Sequence, residues 1–128
     1  MFIQVITAKV VDAEGLKRQV DRWEADLRPE ATGFLGSTGG IADDGRFIVL
    51  ARFESEEAAR RNSDRPEQGE WWAETEKMLD EVQFKDSVEV VTMRGGGSDD
   101  AGFVQVMLGR VIDQAKMDEL RARMDEMA

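Results

Sequence analysis

The sequence predicts an α+β fold, an antiparallel sheet with its helices on one face, and three observations carry that prediction. Runs of β-branched and apolar residues alternate with helical stripes in the order strand, helix, strand, strand, helix, strand. The chain, 128 residues long, has room for one domain with a real hydrophobic core and too little for two comfortable ones. Finally, residues 103–128 restart the pattern of residues 1–26.

Phe2 to Val11 is rich in β-branched and apolar residues, with Phe2, Ile6, Ala8 and Val10 on one face and Ile3, Val5 and Thr7 on the other. Such a strand is covered, at least in part, on both sides. Asp12 is a good helix cap, and Leu16, Val20, Trp23 and Leu27 form the stripe of an amphipathic helix that Pro29 ends. Gly33 to Ile41 reads as a glycine-interrupted strand. The turn Asp43-Asp44-Gly45 joins it to the run Arg46 to Phe53, making a hairpin. Gly36, Gly39 and Gly40 mark a bulge or a close backbone approach.

Ser55, followed by two glutamates, opens a short helix through about Asn62. Asp64, with Pro66 two residues on, starts the helix again. From Pro66 to about Val82 the positions Trp71, Trp72, Thr75, Met78, Leu79 and Val82 form a broad stripe, and Phe84 to Met93 reads as the fourth strand. This order is the split βαβ, or ferredoxin-like, arrangement. It leaves one sheet face in need of cover, which a partner sheet would supply.

Arg94 leads into Gly95-Gly96-Gly97-Ser98-Asp99-Asp100, so the sequence divides into a domain at 1–94, a glycine-rich linker at 95–102 and a strand-plus-helix partial repeat at 103–128. Phe2-Ile3-Gln4-Val5 corresponds to Phe103-Val104-Gln105-Val106, and Lys9-Val10-Val11-Asp12 to Arg110-Val111-Ile112-Asp113. An incomplete copy must lean on something. The expectation is that Phe103 to Ile112 pairs with a sheet, in its own chain or by exchange with a partner, burying Met117, Met124 and Met127.

Composition limits the chemistry. Seventeen basic residues against twenty-seven acidic ones give a formal net charge of -10, which repels phosphate backbones and anionic membrane surfaces. Nucleic acid and membranes are therefore not expected as partners. No apolar stretch approaches spanning length and the amino terminus does not read as a signal peptide, so a cytoplasmic location is the expectation. The sequence has no cysteine, no histidine and no tyrosine. Thiolate nucleophiles, disulfides, and the commonest general base and metal ligand are thus all missing.

The stretch Phe53-Glu54-Ser55-Glu56-Glu57-Ala58-Ala59, followed by Pro66-Glu67 and Trp71-Trp72-Ala73-Glu74, resembles the antibiotic biosynthesis monooxygenase-like families of the dimeric α+β barrel superfamily. Gly33-Phe34 and Phe84-Lys85-Asp86-Ser87 fit the same outline, so the resemblance covers residues 1 to about 94. It implies a homodimer, or a higher homo-oligomer, whose sheets pack face to face into a barrel, with a ligand cavity between each sheet and its helices. It also implies a range of activities, among them cofactor-independent oxygenation of polycyclic phenolic substrates and haem degradation. Haem-degrading relatives use a histidine near the place of Asn62, so a chain with no histidine is not expected to share that activity. The family's pairing of a polar residue with a tryptophan maps onto Asn62 and either Trp72 or Trp71. Arg94, at the end of the fourth strand, would hold a phenolate or carboxylate.

Each of these residues has a simpler reading beside the functional one. Trp71 and Trp72 lie about 100° apart on a helix, so one would seal it against the sheet while the other lines a cavity or an interface. Asn62 can be a helix-end residue. Glu70 and Glu74, one turn apart, are more simply a solvated face than a metal site, and no metal or cofactor is expected. Two functions follow. One is a small-molecule-binding barrel protein, a cofactor-independent monooxygenase acting on an aromatic or polyketide-like ligand at Asn62, Trp71, Trp72 and Arg94. The other is a non-catalytic binding or assembly module whose barrel is filled by side chains. An open cavity between sheet and second helix separates them.

Overall fold

The computed structural model describes residues 1–88, 90 and 102–127, apart from the side chains of Asp125 and Met127. The chain divides into two compact units, Met1–Val90 and Val91–Ala128. The first holds β1 (Phe2–Val10), α1 (Ala13–Arg22), β2 (Phe34–Ile41), β3 (Arg46–Phe53), α2 (Glu56–Ser63), α3 (Pro66–Thr75) and β4 (Leu79–Ser87). The four strands form one antiparallel sheet in the order β2-β3-β1-β4, the ferredoxin-like arrangement.

Local chemistry sets the element ends. Asp12 caps α1 by accepting the Gly15 amide at 2.9 Å, and Ser55 caps α2 by accepting that of Ala58 at 3.1 Å. Gly45, at φ +84°, closes the β2–β3 turn. The first helix does not stop at Pro29 as expected. After Arg22 it widens into a π turn over Trp23–Leu27 and then tightens into a 3-10 turn, Arg28–Glu30, which tolerates the proline near its start.

The second helix differs more. Arg65, not Asp64, is the residue before α3; it makes no side-chain cap, and Pro66 takes the first helical position. The helix ends at Thr75 and a 3-10 turn, so Leu79 to Val82 is strand where helix was expected. The reason is a bulge. The β1–β4 register shifts between Thr7 and Lys9, with Glu81 at φ 52°, so Leu79 and Val82, three residues apart, both pack toward the helices. A bulged strand thus reproduces helical spacing.

The helix-facing side of the sheet carries Phe2, Gln4, Ile6 and Ala8 from β1 and Phe47, Val49, Ala51 and Phe53 from β3. The ends of these rows are packed: Phe2 and Phe53 against Ala58 and Ala59 of α2, and Ala8 against Leu16 of α1 and Leu79. Their middles are not. All three helices sit on this side, and within Met1–Val90 the opposite face, with Ile3, Val5, Ile48 and Leu50 half-buried, carries no helix.

In the second unit, the described residues form α4 (Gln114–Met127). Asp113 accepts the Lys116 amide at 3.1 Å, and the Met117 amide reaches the Asp113 carbonyl at 3.1 Å. Asp12 makes the same two bonds to Gly15 and Leu16. The strand expected before it is absent: Phe103 to Ile112 forms no strand, and Phe103, Met107 and Ile112 are 83%, 85% and 96% exposed. Nor is Met124 buried, at 37% exposure, while Met117 is half-buried and the Met127 side chain lies outside the described residues. A helix can satisfy its own backbone, whereas a single strand needs a neighbour.

Candidate functional site

Between the two packed ends of the sheet lies a cavity of about 280 Å³. Gln4, Ile6, Val49 and Ala51 form its floor, and Val20, Trp23, Gly69, Trp71 and Trp72 its helical walls. Small residues line this space: Ala51 pairs with Ser37 across the sheet, one step along from the phenylalanine pair Phe34 and Phe53, and Gly69 lies in the helical wall. Val20 and Phe84, both in its wall, are 40% and 50% exposed, so the cavity opens to solvent. The space between sheet and second helix is therefore not filled by side chains.

Six aromatic rings follow one another around the lining. Phe53 meets Phe34 edge-on at 5.5 Å between centroids, Phe34 meets Trp23 at 4.9 Å, and Trp23 meets Trp71 at 6.4 Å. Trp71 lies 6.3 Å from Trp72, which meets Phe84 edge-on at 5.3 Å. These are ordinary edge-on and tilted aromatic geometries. Trp23 belongs to this set although its stripe position reads as core. The π turn that begins at Trp23 is the local signal that sequence periodicity does not carry.

The indole nitrogens divide the tryptophans by role. Trp23 donates to Gln68 Oε1 at 2.7 Å, and Trp71 donates to the Gln19 carbonyl at 2.7 Å. Buried Gln19 and Thr75 complete that knot: Gln19 Nε2 donates to Thr75 Oγ1 at 3.0 Å, and Thr75 Oγ1 donates to the Trp71 carbonyl at 2.8 Å. Trp72 has no hydrogen-bond partner among the described residues. It is the tryptophan with an N–H to spare.

Asn62, 7% exposed, also lines the cavity. Its Oδ1 accepts from Arg65 Nη1 at 2.9 Å, and Arg65 further donates to the Leu27 carbonyl through both terminal nitrogens at 3.2 Å. A guanidinium has donors only, so the oxygen of the Asn62 amide must be the atom that faces it. The Asn62 Nδ2 group has no partner among the described residues. Asn62, Trp71 and Trp72 thus meet at one cavity; Arg94 lies outside the described residues.

Among the lining residues only Glu24 is ionisable, and it pairs with Arg28 at 2.7 Å. The remaining polar lining is neutral: Gln4, Ser37, Asn62, Ser63, Gln68 and Thr75. Glu74 pairs with Arg22 at 2.8 Å, on the exposed face where the Glu70 and Glu74 spacing put it. No group of three or more acidic, histidine or cysteine side chains suited to a metal ion occurs among the described residues. None of their helices is long and apolar enough to cross a membrane.

No family model matches the sequence, and no curated protein does. Solved structures do. SnoaB from Streptomyces nogalater, a cofactor-independent oxygenase whose structure is that of an asparagine-to-alanine mutant, superposes with a TM-score of 0.65 at 16% identity over 73% of this chain and 96% of its own. The α+β ferredoxin-like fold matches that of solved antibiotic biosynthesis monooxygenase-like proteins. A candidate antibiotic biosynthesis monooxygenase from Caulobacter crescentus gives a TM-score of 0.62 at 16% identity, over 70% of this chain and 90% of its own. A monooxygenase from the gene ActVA-Orf6 of Streptomyces coelicolor, solved with the ligand nanaomycin D, gives 0.58 at 21% identity, over 72% and 89%. The likeness is one of fold, and it agrees with the family resemblance seen in the sequence.

Proposed function

We propose that this chain is a small-molecule-binding α+β barrel protein that takes a planar aromatic, polyketide-like ligand into the cavity and oxygenates it without a cofactor. One observation carries the reading: an open, aromatic-walled cavity whose polar lining is almost wholly neutral and includes the Asn62 Nδ2 and Trp72 Nε1 donors, which have no partner among the described residues. An apolar pocket with a few fixed polar groups is what a small-molecule site needs. Neutral donors suit a ketone that is to lose a proton beside its carbonyl, because they stabilise the oxyanion that forms. In an anthrone-like substrate the ring CH2 becomes a carbanion, its proton passing to solvent at the cavity mouth. The carbanion supplies the electrons that reduce O2. A C–O bond forms to give a hydroperoxide, which loses the second hydrogen of the ring CH2 as its O–O bond breaks, so that one oxygen stays as a new carbonyl while the other leaves as water.

The functions of the solved neighbours support this reading, SnoaB being a cofactor-independent oxygenase. Support for a homodimer comes from the apolar sheet face that no helix of Met1–Val90 covers. One observation favours the non-catalytic alternative: the lining offers no base but Glu24, which is already paired. Oxygen consumption with a panel of anthrone-like phenols decides between them. Turnover that collapses in Trp72→Ala is expected, whereas binding of the panel with no oxygen uptake above that variant would leave a ligand-binding protein and remove the oxygenase.

A further inference from the structure

We propose that Arg65 is a positioning residue that holds the Asn62 amide with its NH2 group toward the cavity, and so makes the site select ligands bearing an acceptor oxygen. The inference rests on the cavity being a ligand site and goes beyond it to the way ligands are chosen. Arg65 occupies the break between α2 and α3, and its side chain is only 15% exposed. From there it ties together three segments. Its terminal nitrogens reach the Leu27 carbonyl, where the π turn ends, and Asn62 on α2, while Nε lies 3.4 Å from Glu67 on α3.

An asparagine amide is nearly symmetric in shape and opposite in chemistry at its two ends. Unrestrained, Asn62 can turn either end to the cavity, and half of its orientations would repel a carbonyl. The donor-only guanidinium removes that freedom at one end, and its second anchor on a backbone carbonyl keeps the guanidinium itself from following the amide. A lysine has the charge but not the rigid fork that reaches both acceptors in one plane.

The test compares 1-tetralone with tetralin, two probes sharing a bicyclic skeleton and differing in one carbonyl oxygen. Binding is read from tryptophan fluorescence, since Trp23, Trp71 and Trp72 all line the cavity. In Arg65→Met the ketone-to-hydrocarbon affinity ratio is expected to fall about 5-fold, the worth of one hydrogen bond, while tetralin affinity stays within about 2-fold. Arg65→Lys should fall between the two. Asn62→Asp keeps the Arg65 contact but turns an acceptor to the cavity, so its ratio should fall at least as far. A merely structural Arg65 would weaken both probes together, and that result overturns the proposal, as does an unchanged ratio. If Arg65→Met does not fold, Arg65→Lys carries the comparison alone. Failure of the wild-type chain to bind either probe would instead remove the ligand site, and the proposal with it.

Discussion

The two adjacent tryptophans show how single residues with the same chemistry receive different work. Trp71 spends its N–H on the Gln19 carbonyl, inside a closed set of bonds with Thr75, which is 2% exposed. Trp72 keeps its N–H and packs edge-on against Phe84. Replacing each by phenylalanine should therefore separate stability from binding. Trp71→Phe is expected to cost about 1 kcal/mol by the loss of one hydrogen bond, seen as a lower denaturation midpoint with the ketone-to-hydrocarbon affinity ratio unchanged. Trp72→Phe should leave stability within about 0.5 kcal/mol and lower that ratio. Thr75→Val removes both a donor and an acceptor from a buried knot, leaving Gln19 Nε2 only its longer 3.4 Å bond to the Trp71 carbonyl; a loss of about 1–3 kcal/mol is expected in denaturant titrations. Sequence spacing shows that Trp71 and Trp72 face different ways. Only the positions of Gln19 and Phe84, 52 and 12 residues away along the chain, decide which is which (71 minus 19; 84 minus 72).

At the scale of elements, two glycines make opposite arguments. Gly69 lies inside α3, where glycine is a poor helix former, and a Cβ there would meet nothing within 4 Å. Gly69→Ala should stabilise the fold by about 0.5–1 kcal/mol, measurable as a raised thermal midpoint. Gly33 is different: at φ +83° it is the turn residue just before β2, and a Cβ would come within 2.6 Å of the Ala58 Cβ on α2. Gly33→Ala is expected to lose more than about 1 kcal/mol, because neither the backbone nor the neighbour can give freely. The same scale explains the misplaced end of α3. Leu79 and Val82 are spaced as a helix would space them, and nothing local distinguishes that from a bulged strand. The partner strand settles it, since Val10 and Lys9 pair with Leu79 and Asp80.

For the whole molecule, the ordering β2-β3-β1-β4 puts every helix of Met1–Val90 on one side and leaves Ile3, Val5, Ile48 and Leu50 together on the other. An apolar sheet face of this kind is stable when a second sheet covers it. Leu50→Arg should then convert a dimer into monomers by analytical ultracentrifugation; a wild-type chain that is monomeric at every concentration would remove the dimer. The second unit poses its own question. Its helix is capped as α1 is, bond for bond, yet its β1-like segment has no strand partner among the described residues. If that segment pairs by exchange with another copy, amides from Phe103 to Ile112 will be protected from hydrogen exchange in the oligomer, and Ile112→Pro will remove that protection.

What the sequence determined by itself was whatever short-range chemistry controls: strands from β-branched runs, caps at Asp12, Ser55 and Asp113, the Asp43-Asp44-Gly45 turn, and the element order that implies a ferredoxin-like sheet. These depend on neighbours a few residues away, so they can be read along the chain. The tertiary structure alone decided that the middle of the sheet stays unfilled, that Trp23 joins Trp71 and Trp72 around the space, that Trp72 rather than Trp71 has the free N–H, and that Arg65 orients Asn62. Each of those outcomes depends on groups brought together from distant parts of the chain, where packing and hydrogen-bond partners are assigned by the fold and leave no periodic trace in the sequence.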